Sequence, residues 1–104
     1  MLKESYLAVM KNLPNDAVKV VVTRTAGHAL SPSKGLLWDY KKGRINWGQY
    51  TERFRQEMNN DICIAEMRKI KWMAKNKDVY LICYEKSGNC HRFLLMDMIN
   101  KLDE

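Results

Sequence analysis

The chain has 104 residues, a formal net charge of +6 and a charged-residue content of 29%. That length suits one domain spanning residues 1–104, with a modest core that leaves monomer and homodimer both open. No stretch has the apolar length of a membrane span, the N-terminus lacks a signal-peptide pattern, and the odd number of cysteines (three) implies no secreted disulfide framework. The expected setting is therefore cytoplasmic, with no membrane partner. The basic balance suits an anionic small molecule, with nucleic acid as a second option.

In chain order, Lys3 to Leu7 is either a short strand or the start of a helix. Val18-Lys19-Val20-Val21-Val22-Thr23 is β-branched and reads as a strand. A loop from Arg24 to Leu30 follows, holding Gly27 and His28. Ser31-Pro32-Ser33-Lys34 reads as a helix start, with Ser31 as N-cap and Pro32 in the first helical position, where a missing N–H costs nothing. Leu36, Leu37 and Tyr40 share a face of that helix, and Gly43 is placed to end it. Asn46 and Gln49 form a capping-box pair for a second helix with the stripe Trp47, Tyr50, Phe54 and Met58. Asn60 or Asp61 caps a third, with Cys63, Met67, Ile70 and Ala74 at helical spacing. Asp78 to Tyr84 is the strongest strand, and a last helix begins near Cys90 with Leu94, Leu95, Met98, Ile99 and Leu102 on one side.

Strands separated by helices point to a small three-layer α/β fold, with a short parallel sheet of about three strands flanked by about four helices. Right-handed crossovers bring the strand carboxyl ends to one edge, where such sheets hold ligands. Thr23-Arg24 and the segment Glu85 to Arg92 would meet there.

The motifs also carry a resemblance. Ser5-Tyr6-Leu7-Ala8 with Leu13-Pro14, then Leu30 to Leu37 with Tyr40-Lys41, then Tyr50, Phe54 and Glu57, and above all Cys83-Tyr84-Glu85-Lys86 followed by Cys90-His91-Arg92, resemble the short members of the family called domain of unknown function 488. The resemblance runs nearly end to end. Where that family often has a proline after the Glu-Lys pair, this chain has Ser87-Gly88. The resemblance implies a small α/β fold and a site around Glu85 and the Cys-His-Arg run, and it implies no activity.

The strand-to-helix turn is thus the candidate site. Cys90 opens a helix, where free N–H groups and the helix dipole favour an anion and can lower a thiol pKa. Cys90 is a candidate nucleophile, His91 a candidate acid or base, and Glu85 a base or a group that orients a hydroxyl. Arg24 and Arg92 are the candidate anion contacts, joined by Ser33 and Lys34 at a second helix start and by Tyr84. The competing reading is a structural turn lock in which Arg92 pairs with Glu85. A phosphatase-type cradle needs Cys-x5-Arg, and the sixth residue after Cys83 is Asn89 and after Cys90 is Met96, so that mechanism is not expected. Cys83 and Cys90 lack Cys-x-x-Cys spacing, so neither a dithiol pair nor a zinc site is expected, and no cofactor is expected. Cys63 lies on an apolar stripe and reads as core. The basic residues of the helix faces, together with Trp38 and Trp72 off the stripes, suit either a solvated surface or nucleic-acid stacking.

Overall fold

The computed structural model describes residues 1–103. Three strands, β1 (Leu2–Tyr6), β2 (Val18–Val21) and β3 (Val79–Cys83), form one sheet in the order β1-β3-β2 with both pairings parallel. The ambiguous Lys3–Leu7 stretch is therefore strand as far as Tyr6, and Leu7 opens a 3-10 segment. Four α-helices follow the sequence pattern: α1 (Lys34–Lys41), α2 (Trp47–Met58), α3 (Asp61–Met73) and α4 (His91–Lys101).

Register fixes the faces. Leu2, Val79 and Val18 are aligned across the sheet, as are Leu81 and Val20, so these side chains point to one side. That side carries the core, where Val79 and Leu81 meet Leu36, Phe54, Met67, Ile70, Leu95 and Ile99 from the four helices. The crossover from β1 to β2 runs across the sheet in one direction and that from β2 back to β3 in the other. Right-handed connections then occupy opposite faces. The long helical crossover covers the core face, and a single 3-10 segment, Leu7–Asn12, contacts β1 and β3 from the other side, where Ile82 is fully buried. The third layer is thus one short turn of chain.

Capping sets the helix boundaries. The Asn46–Gln49 capping box forms in both directions, and Asn60 accepts from the Cys63 N–H. Gly43, at φ 74°, takes the left-handed position just past α1. The start of α1 corrects the sequence reading: the N-cap is Ser33, whose Oγ accepts from Leu36 N–H, and the helix begins at Lys34. Ser31 instead turns inward and donates to the Thr23 carbonyl at 2.7 Å. Both serines can cap. Glu57 decides between them, because its carboxylate accepts from the Ser33 backbone N–H and from its hydroxyl.

Candidate functional site

A cavity of about 430 Å³ opens at the carboxyl ends of β2 and β3. This is the edge at which parallel sheets hold ligands, and the volume lies in the range of small-molecule sites. Thr23, Arg24 and Thr25 line it after β2, and Cys83, Tyr84 and Glu85 line it after β3. Ser87, Gly88, Asn89, Cys90 and His91 close it from the loop and the start of α4, so of the expected Glu85–Arg92 segment most residues line the cavity with Arg24, and Arg92 does not.

One wall is aromatic, lined by Tyr40, Trp47 and Tyr50, with Phe54 buried behind it. Trp47, Tyr50 and Phe54 recur at i, i+3 and i+7 on α2, hence on one face. Trp47 and Tyr50 stack at 4.9 Å between centroids, Tyr40 of α1 sits tilted against both, and Phe54 meets the His91 ring at 5.6 Å. Burial pushes the Tyr50 phenol well above its usual range, so its hydroxyl stays protonated. Arg24 and Lys41 supply positive charge to the lining. Two hydrogen bonds cross the rim: Tyr84 Oη to Thr25 Oγ1 at 2.9 Å, and Asn89 Nδ2 donating to Tyr40 Oη at 3.3 Å.

At the base of the cavity two thiols and an imidazole converge. Cys83 is the last residue of β3 and Cys90 is the N-cap of α4, and the loop Tyr84–Asn89 folds back so that they meet. The Cys83 and Cys90 sulfurs lie 4.0 and 3.9 Å from His91 Nδ1. His91 Nε2 is 2.6 Å from the Val22 carbonyl. That oxygen can only accept, so Nε2 carries hydrogen and, in the neutral ring, Nδ1 presents its lone pair to both sulfurs. The neighbouring Cys90 thiol, then His91, pulls the Cys83 thiol well below its ordinary range, while the proximity of Cys83 and burial push the Cys90 thiol up. The sulfurs titrate as a pair, with one proton leaving early. Arg92 Nη1, 3.8 Å from Cys90 Sγ, favours negative charge on that side of the pair.

Arg92 itself corrects the sequence reading. It was expected to hold an anion beside Arg24, yet it is fully buried and is not part of the cavity lining. Its Nε donates to Glu4 Oε2 at 2.7 Å, Nη2 donates to the Lys86 carbonyl at 3.0 Å, and Nη1 donates to the Glu85 carbonyl. The guanidinium ties the loop and α4 to β1. The turn-lock reading is right in kind, but the carboxylate is that of Glu4. The Glu85 side chain is exposed at the cavity, and among the described residues it forms no ion pair.

Ser33 and Lys34 also lie outside the lining: Ser33 is taken up by capping and Glu57, and Lys34 is exposed. His28 turns away, accepting from the Leu30 N–H on Nδ1 with Nε2 3.6 Å from Glu66. Tyr84 lies at the rim and is 59% exposed. Sequence reasoning missed Lys41 and the aromatic wall as site components. The wall was visible as a stripe, but a stripe at helical spacing reads equally as core. The grouping of Cys83 with Cys90 and His91 was set aside on spacing, and the structure brings the three together.

Among known protein families, the one described as "DUF488-N3a: Active DUF488-N3 subclade" matches residues 6–103. No curated protein and no solved structure matches.

Proposed function

The chain belongs to the DUF488 family, and from that premise we propose that the cavity binds a planar, anionic, nucleotide-like small molecule and presents it to the thiol–imidazole centre. The observation that carries the reading is a cavity with an aromatic wall, two cations and two thiols at its base. Flat π-faces on Tyr40 and Trp47 suit a heterocycle, and Arg24 and Lys41 suit a phosphate. The exposed Glu85 carboxylate suits a hydroxyl or the edge of a base. The description of the subclade as active supports a working centre.

In the chemistry proposed, the first proton lost by the Cys83–Cys90 pair passes to His91 Nδ1, and a sulfur of the pair attacks an electrophilic atom of the ligand. The new bond to sulfur forms as the bond to the leaving group breaks, and Nδ1–H returns the proton to that group. Water then releases the thiol.

Thermal-shift screening of nucleotides and phosphometabolites tests the binding step. A rise in melting temperature that disappears in Arg24→Ala and Lys41→Ala is expected. A flat response across the panel ends the reading. The rival is nucleic-acid binding on the basic helical faces, which draws on Trp38 and Trp72, 44% and 66% exposed. It requires a gel shift that weakens steeply with salt and is indifferent to Cys90→Ser.

A further inference from the structure

The centre at the base of the cavity has a second capacity. The donor atoms of Cys83, Cys90 and His91 all lie within 4.8 Å of one another, and all three residues are buried and face the same cavity. We infer that they bind a soft divalent metal ion of the zinc type, with the remaining coordination position open to the cavity.

Distance, orientation, charge and surroundings each support this. A tetrahedral zinc with bonds of about 2.3 Å to sulfur and about 2.0 Å to nitrogen needs sulfur–nitrogen separations of about 3.5 Å. The observed 3.9 and 4.0 Å require a contraction of about 0.4–0.5 Å, within reach of small χ1 adjustments. The imidazole is already oriented for the task. A metal-binding histidine commonly gives its other ring N–H to a backbone carbonyl or carboxylate, and His91 Nε2 is held by Val22 O. Two thiolates neutralise a divalent ion. Arg92 Nη1, 3.8 Å from Cys90 Sγ, supplies an outer N–H to sulfur, and its own charge is balanced by Glu4. Two sulfurs and an imidazole select a soft or borderline ion over magnesium or calcium. Three protein ligands with the last position facing a cavity is the arrangement of a catalytic zinc site. Cys63 is the internal contrast: it is equally buried, but its thiol points at the Ala29 carbonyl and it belongs to no such cluster.

The inference does not depend on the ligand proposed above, because it needs only the three donors. It does change what the thiols do. A bound metal occupies both sulfurs and the Nδ1 lone pair, so the loaded protein cannot use Cys90 as a free nucleophile.

The test uses the whole chain, reduced, stripped with a chelator and titrated anaerobically with Co²⁺. The expected result is a single cobalt per chain, with a sulfur-to-cobalt charge-transfer band and the intense visible bands of tetrahedral coordination, both displaced by Zn²⁺. Cys83→Ser and Cys90→Ser should each weaken binding by more than about 100-fold, since even outer-sphere changes cost about 10- to 100-fold. Cys63→Ser should leave it intact. A weak octahedral spectrum, or charge-transfer bands that survive either substitution at the centre, overturns the inference. Should a variant fail to fold, the unsubstituted protein still decides. Zn²⁺ must slow alkylation of Cys83 and Cys90, mapped by mass spectrometry, without slowing that of Cys63, and equal rates with and without metal sink it. Loss of the metal result leaves the nucleotide thermal-shift result standing, and the reverse holds too.

Discussion

His91 and Arg92 are neighbours in the first turn of α4, both polar and both buried, with exposures of 6% and 0%. Their hydrogen bonding differs. Arg92 gives its donors to the Glu4 carboxylate and to the Glu85 and Lys86 carbonyls. His91 gives one nitrogen to Val22 and leaves the other facing two sulfurs at the base of a cavity. Burial alone therefore does not separate a structural residue from a reactive one in this turn. What separates them is whether the polar atoms have been used up. The guanidinium positions the loop, and the imidazole is held still with a lone pair to give.

The largest effect expected is at Arg92. Arg92→Ala empties a fully buried site, leaves two carbonyls without their donor and a part-exposed Glu4 without its cation, and should cost about 2–4 kcal/mol in denaturant unfolding. Arg92→Lys keeps the charge but loses the planar fork, and should recover only part of the loss. A cost below about 1 kcal/mol for Arg92→Ala would mean that the lock is not a lock.

Next is His91. His91→Phe keeps a ring beside Phe54 and removes the donor to the Val22 carbonyl, so it should cost about 1–3 kcal/mol. Its reactivity should fall more than its stability: alkylation of Cys83 and Cys90 should change sharply in a protein that still unfolds cooperatively. If stability falls by more than in Arg92→Ala, the contrast between the two residues is reversed.

The rim comes third. Tyr84→Phe removes the bond to Thr25 from an exposed side chain, and its effect on stability should stay within about 0.5 kcal/mol. Amide hydrogen exchange over residues 84–89 should quicken nonetheless, because one of the two rim bonds is gone. Unchanged exchange would show that this bond does not hold the loop.

Much of the frame was legible in the chain, and the reasons are local. The capping box at Asn46 and Gln49, the cap at Asn60 and the β-branched runs specify elements from neighbours a few residues apart. The parallel sheet and the edge carrying Thr23-Arg24 and the Glu85 segment followed from the alternation of elements and the handedness of crossovers. Failures came where the deciding partner is remote. Ser33 caps α1 because Glu57, 24 positions on, holds it. Arg92 is drawn inward by Glu4, 88 positions away, and nothing in the spacing of Arg92 with Glu85 indicates that. Cys83 and Cys90 missed the usual metal-ligand spacing because that rule assumes a tight local loop. Here the end of a strand and the start of the next helix bring the sulfurs together across an intervening loop.

The smallest effect is at an exposed pair, and it bounds the argument from the other side. Asp39 bonds to Arg53 at 2.8 Å and to Arg44 at 3.2 Å, so its polar atoms are as fully used as those of Arg92. The Arg53 and Arg44 hydrogen bonds hold its carboxyl below the usual carboxylate range. A folded-state pKa below the unfolded one adds stability that is complete above the ordinary carboxylate pKa of about 3.9 and is lost as pH falls through the lower, folded value. Asp39→Asn should therefore lower stability slightly at neutral pH, by an amount that shrinks as salt is raised, and the difference from the unsubstituted protein should vanish as pH falls below the folded-state value. Equal or larger losses than Arg92→Ala at neutral pH would mean that used-up polar atoms matter regardless of burial. The expected small, salt-sensitive change means that they matter in proportion to the water excluded around them, which is why the turn at Arg92 can hold the reactive centre beside it in place.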